Sequence, residues 1–263
     1  IGNKGLTGGI SYLESMTRPG ADVESLGLEA NMKSAQATVS YPLIYSRNEA
    51  FFARFTVGWT DEVQQTNAGG TDEDLSHDRI TAARFGTSFS GCYYGCVRVD
   101  TEVSKGLELA SRSNSEVGEG TPLSKSTASS NFTHFNLNAN YTVNPLENYI
   151  FRLNGGGQYT LNDLVNSEQK GITGEEKLSA FTSGSISGEE VRYVRGQLNR
   201  QYKLSRNLSI SPYVYGAGGV AYINQPTSTE RVATVAKSMG LGLEVNGGDE
   251  YFFDKKITAK IEL

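Results

Sequence analysis

Apolar and polar side chains alternate one by one along most of this chain, and that period of two limits the fold more than any other feature. In NFTHFNLNANYTV, Phe135, Leu137, Ala139, Tyr141 and Val143 share one face, and His134, Asn136, Asn138, Asn140 and Thr142 share the other. In FFARFTVGW, Phe51, Ala53, Phe55, Val57 and Trp59 oppose Arg54 and Thr56. The same pattern recurs in VRVDTEV (97–103), YIFRLN (149–154) and ITAKIEL (257–263). Such alternation marks strands whose two faces meet different media. A soluble β-sandwich alternates too. Here, however, the polar face carries Arg98, Asp100, Glu102, Arg152 and Asn154 at mid-strand, where a sandwich would place its core or its flat exterior. The apolar faces end in Trp59, Tyr141 and Tyr222, as an interfacial aromatic girdle would.

Composition agrees. No run approaches the roughly 20 apolar residues of a membrane helix, and hydrophobic residues are 37% of the chain. A transmembrane strand needs lipid-compatible side chains only at alternate positions, so hydropathy hides it. The expectation is an all-β fold, a transmembrane antiparallel β-barrel of a bacterial outer membrane, in contact with outer-membrane lipid. A net charge of −5 argues against a nucleic-acid partner. The chain opens on Ile1-Gly2-Asn3 without a leader-like segment, the pattern expected of a portion of something longer.

Alternation and turn residues place about twelve strands, at 6–15, 21–30, 34–44, 50–62, 78–90, 96–109, 131–143, 148–161, 189–203, 207–223, 232–246 and 256–263. Their connections alternate between short turns (PLIYSRNE, GCYYGC, NPLEN, KLSRN) and long segments at 63–77, 110–130 and 162–188. Outer-membrane barrels have short periplasmic turns and longer extracellular loops. GCYYGC is then a periplasmic turn. Cys92 and Cys96 within it read as a disulfide, which suits an oxidising compartment. Half a metal site lacks a nearby His or third Cys, and two free thiols are the remaining reading.

Other chemical signals are weak. Ser76-His77-Asp78 are adjacent, whereas a nucleophilic relay needs its members convergent in space. His134 stands amid Asn on a wet face and reads as solvated. Asn154-Gly155-Gly156-Gly157 leads into no helix or Lys-Ser/Thr, so it is not a phosphate loop. Glu73, Asp74 and Asp78 lack calcium-loop spacing and read as a solvated loop. No catalytic residues, cofactor or metal are expected.

Several strings together resemble one family: YPLIYSRNEAFFARFTVGW, LSHDRITAARFG, TEVSKGLEL, and the run from SNFTHFNLNANYTVNPLENYIF to GGGQYTLNDLVNSEQKGITG. They are similar, in order, to the barrel of TpsB transporters, the haemolysin-activator-type outer-membrane partners of two-partner secretion. The resemblance implies a barrel of about sixteen strands, of which residues 1–263 would supply a part, the fourth through fifteenth strands. Upstream POTRA modules and terminal strands would lie outside this sequence.

The resemblance also implies a site. In the family the long loop after the SEQ-type lead folds into the lumen. There an Arg of its VRGY-like tip pairs with an Asp of a neighbouring strand, a latch whose partners would each be costly alone. Aligning EQKGITG with that lead puts Leu178, Ser179, Ala180 and Phe181 at the tip, with Ser179 at the Arg position. SPYVYGAGGV aligns with the Asp-bearing strand and puts Gly216 at the Asp position, on the lumen wall. Both halves of the latch are absent together. Val194-Arg195-Gly196 also matches the tip motif, but its spacing after Ser187-Gly188-Glu189-Glu190 places it in the following strand. The rival alignment, in which this string is the tip, would still lack the Asp.

The functional expectation is a translocation pore of two-partner secretion exporting an unfolded exoprotein. The tip residues would gate it, and Arg98, Asp100, Glu102, Arg152, Asn154 and Gly216 would line it. The alternative is a secretion-inactive barrel that anchors an envelope or surface protein partner. A small-solute channel comes third and would require loop 162–188 to leave the lumen open.

Overall fold

The computed structural model describes residues 5–18, 27–67, 73–112, 120–205, 208–226, 230–248 and 256–262. In chain order the strands are β1 (Thr7–Thr17), β2 (Leu28–Tyr45), β3 (Glu49–Thr66), β4 (Glu73–Cys92), β5 (Cys96–Leu107), β6 (Thr133–Val143) and β7 (Tyr149–Thr160). There follow the short β8 (Lys170–Gly171) and β9 (Ser187–Gly188), then β10 (Glu190–Arg200), β11 (Tyr202–Lys203), β12 (Leu208–Tyr222), β13 (Ala233–Gly248) and β14 (Lys256–Glu262). Twelve of these form one antiparallel sheet, in the order β1-β2-β3-β4-β5-β6-β7-β10-β12-β13-β14, with β11 paired to β12. β8 and β9 make a separate small ribbon.

The strands are not the twelve expected: the segment expected at 189–203 is divided into β10 and the two-residue β11, and of the segment expected at 21–30 residues 21–26 lie outside the described residues. The segments expected at 21–30 and 34–44 are, from Leu28 onward, the single strand β2, which pairs with β3 in unbroken register from Leu28↔Thr66 to Pro42↔Phe52. Asn31-Met32-Lys33 looks like a break in alternation, but the ladder runs straight through it. The long loop expected at 63–77 is mostly strand, because β3 runs to Thr66 and β4 starts at Glu73. Glu73 and Asp74 thus belong to a strand. At ~3.4 Å per residue an 18-residue strand spans roughly 60 Å, well beyond an about 30 Å hydrocarbon core even when tilted. β2, β3 and β4 therefore project past a bilayer.

Parity divides the sheet's faces. In β12, Ser211, Tyr213 and Tyr215 are buried, while Val214 is 51% exposed. In β10, Val191, Arg195, Gln197 and Asn199 are buried, while Val194 and Leu198 are exposed. Residues paired across strands share a face, so the rule carries around the sheet. The outward face carries Phe55, Val57, Phe85, Val103, Phe135, Leu137 and Met239. The sheet also curls. Arg152 on β7 bonds Glu244 on β13 at 2.6 Å, although two strands lie between them. On a flat sheet three strand spacings would separate those backbones by about 14 Å, so the polar face is the concave one.

The buried apolar residues also lie on this concave side, where connecting segments fold onto it. Ile80 and Ala82 of β4 pack with Ala128, Phe132, Leu164 and Val165 from two long connections. Ile172 and Leu178 pack with Val191, Ala221 and Ala236 of β10, β12 and β13. At the opposite, short-turn end, the sulfurs of Cys92 and Cys96 are bonded, and Tyr94 between them is 99% exposed.

Candidate functional site

The segment from Leu161 to Glu189 leaves β7, lies on the concave face and returns into β10. It is an ordered hairpin. β8 pairs with β9 at its base, and the Gly174 N–H donates to the Leu178 carbonyl at 3.2 Å across its turn. Gly174 sits at φ +110°, where a side chain would be strained.

Three polar hubs tie this hairpin to the wall. The first is Glu168, whose carboxylate meets Arg84 of β4 at 2.5 Å and His134 of β6 at 3.1 Å. Burial alone would raise the Glu168 carboxyl, but its hydrogen bond to His134 and the Arg84 charge hold it below the usual carboxylate range. His134 is 3% exposed and stacks on Phe132, so it is a buried partner, not the solvated residue expected from sequence. Next to it, Lys170 donates to the side-chain oxygens of Asn136 and Asn138 and to the Gly157 carbonyl. Burial, reinforced by repulsion from Lys177, pushes the Lys170 ammonium down to about 8.

The second hub is Glu189, fully buried at 0% exposure. Its carboxylate accepts from Lys125 Nζ, Leu164 N and Asn224 N, each at 2.6 Å. One side chain thereby joins three connections. Asp78 adds a fourth tie, accepting from Ser124 N at 2.9 Å, so it is buried and structural instead of solvated. His77 points the other way, to Asp61 at 2.5 Å. Ser76, His77 and Asp78 therefore do not converge.

The third hub lies under the hairpin tip. Arg195 of β10 is 1% exposed. It donates from Nη2 to Glu262 Oε2 of β14 at 3.0 Å and from Nη1 to Ser179 Oγ at 2.5 Å. Its guanidinium lies 3.7 Å from the centroid of the Tyr215 ring. The Ser179 hydroxyl donates onward to Glu262 Oε1, and Tyr213 donates to Glu262 Oε2 at 2.7 Å. A second wall pair continues the network: Glu244 accepts from Arg152 and from Gln197, which also bonds Arg195.

Of the four tip residues, Leu178 is fully buried and Ser179 is docked on Arg195. Ala180 and Phe181 face away and are exposed. Val194-Arg195-Gly196 lies within β10. Arg98, Asp100, Glu102, Arg152 and Asn154 are on the concave face. Asp100 and Glu102 line a cavity of about 490 Å³ with Arg54, Arg84, Glu168 and Lys170, and Arg98 pairs with Asp100 at 2.9 Å. Gly216 needs correction. Parity with Tyr215 puts it on the outward face, where an added Cβ would meet nothing within 4 Å. The inward position beside it is Tyr215. Sequence reading missed Glu168, Glu189, Glu244, Glu262, Tyr213 and Tyr215 as site residues. Strand parity in Tyr213-Val214-Tyr215-Gly216 was the signal that could have moved the wall position from Gly216 to Tyr215.

An antiparallel sheet with an apolar outer face, a charged concave face and a hairpin lying on that face has the pattern of the wall of an outer-membrane β-barrel. The chain belongs to the family of haemolysin secretion/activation proteins ShlB/FhaC/HecB, whose model matches residues 6–245. Among solved structures it is similar to CdiB from Escherichia coli, with a TM-score of 0.70, 13% identity and coverage of 98% of this chain and 46% of that one. It is also similar to CdiB from Acinetobacter baumannii, with a TM-score of 0.64, 15% identity and coverage of 93% and 42%. No curated protein sequence matches. The chain thus spans less than half the length of these structures, and at such identity they speak to the fold. The family is one of outer-membrane secretion transporters, not enzymes.

Proposed function

We propose that this chain forms the channel of an outer-membrane translocation pore of two-partner secretion, passing an unfolded exoprotein to the cell surface, with residues 162–188 as its plug. The short-turn end, with Cys92 and Cys96, faces the periplasm, and the apolar outer face meets outer-membrane lipid. POTRA-like modules elsewhere in the full protein would deliver the exoprotein.

One observation carries this reading. The hairpin is attached through Glu168 to Arg84 and His134 and through Ser179 to Arg195 and Glu262, on a charged wall that also carries the pair Arg152–Glu244. A wall of that kind stays hydrated when uncovered, and its alternating charges suit weak, sequence-tolerant contact with a moving polypeptide. The pair Arg98–Asp100 and the neighbouring Glu102 extend the same lining toward the short-turn end.

The competing reading is a secretion-inactive anchor. It draws on the full burial of Ile172, Leu178 and Glu189, which favours a plug that stays in place. Single-channel conductance of the full-length protein in planar bilayers separates the two. A small, flickering conductance that becomes large and steady on deletion of residues 175–186 supports the pore. Silence in both forms refutes it.

A further inference from the structure

Resting on the plug reading, we infer that the polar catch of the plug tip is a serine hydroxyl lodged in an ion pair made wholly by the wall, so that the tip can leave without unpairing a buried charge.

Both members of the pair are wall residues. Arg195 comes from β10 and Glu262 from β14, and they meet at 3.0 Å. Arg195 has further wall partners, Gln197 at 3.0 Å and the Tyr215 ring at 3.7 Å. Glu262 has Tyr213 at 2.7 Å. None of these contacts uses the hairpin. The tip reaches the pair through Ser179, whose hydroxyl accepts from Arg195 and donates to Glu262. The Lys177 carbonyl adds a longer contact to Arg195 at 3.3 Å.

The arrangement has an energetic consequence. A latch with its cation on the moving loop and its anion on the wall strands a buried charge each time it opens, which is the expensive way to break an ion pair. Here, opening exchanges a serine hydroxyl for water at a pair that remains closed. Ser179 is neutral and short, and water can replace it on both partners. The tip is therefore a releasable catch, while Arg195 and Glu262 hold β10 and β14 together across two intervening strands. Ser179 is a positioning residue for the plug, and Arg195 and Glu262 are parts of the wall.

The test uses the full-length protein in planar bilayers, with gel heat-modifiability as the measure of barrel integrity. Ser179→Ala is expected to raise the open fraction roughly ten- to hundredfold, the size of one or two charge-assisted hydrogen bonds, with heat-modifiability unchanged. Ser179→Thr keeps the hydroxyl and should gate as the parent does. Arg195→Gln should instead lower the temperature at which the barrel form is lost, because the ion pair that joins β10 to β14 is broken from one side. If Ser179→Ala gates like the parent while deletion of 175–186 opens the pore, the catch is refuted and the plug survives. If the deletion also stays silent, the pore reading beneath it fails. Loss of the barrel form in Ser179→Ala would refute the separation of catch from wall.

Discussion

Removing the Glu189 carboxylate should free three connections at once. The side chain is 0% exposed and accepts three contacts at 2.6 Å, one from an ammonium and two from backbone N–H groups. Glu189→Ala leaves Lys125, 11% exposed, without its counter-ion and leaves Leu164 N and Asn224 N without their acceptor. Breaking a buried pair from one side costs ~3–5 kcal/mol. Even the lower figure shifts a local opening equilibrium roughly hundredfold. The cost should fall on the loops, since the β7–β10 and β10–β12 ladders are closed by main-chain bonds that do not involve Glu189. Limited trypsin digestion of the folded protein in detergent reads this directly, by the rate of cleavage after Lys125, Lys170 and Lys177. Glu189→Ala should be cut about a hundredfold faster, with the heat-modifiable barrel retained. The double variant Lys125→Ala/Glu189→Ala should be less damaged than the sum of its singles, because it strands no charge. Unchanged cleavage rates in Glu189→Ala would refute the claim that this carboxylate staples the loops.

The docked hairpin should respond to alkaline pH. Docking holds Lys170 down to about 8, and release returns it toward its ordinary value near 10.4. A cation depressed by docking disfavours the docked state below pH 8, and that penalty is relieved as pH rises from 8 toward 10.4. The open fraction should therefore fall over this window, and Lys170→Met should weaken the trend, leaving the smaller part due to Lys177, whose ammonium burial also pushes down. Gly242→Ala should disturb the third hub, because a Cβ there would sit 2.2 Å from the Tyr213 ring and push its hydroxyl off Glu262. A fall in melting temperature larger than that of Tyr213→Phe is expected in detergent unfolding. Reducing Cys92–Cys96 should cost at most about 2 kcal/mol, since the bond closes a very short loop. Collapse of the barrel under reductant would overturn that.

Much of the architecture is legible in the chain because a barrel strand obeys a local rule. Its neighbours alternate between lipid and water, so Phe135, Leu137 and Tyr141 against His134, Asn136 and Asn138 already state which face is which. Resemblance singled out the long connection between β7 and β10 and drew attention to Ser179, which the structure docks on Arg195. It misplaced the wall residue, because similarity of letters around Gly216 outranked the parity that Tyr213 and Tyr215 impose.

The local period of the chain is enough to read the medium, the strand faces and the long insertion between β7 and β10. The partners follow only from the folded sheet. Glu262 lies 67 residues from Arg195 and Glu189 lies 64 from Lys125. Neither pairing follows from a local period, because each depends on how far the sheet curls and on where the hairpin lands on its concave face. Charges on a wet wall are interchangeable in sequence. Curvature and burial select which of them meet, since a buried charge must find its partner within hydrogen-bonding reach or not be there at all.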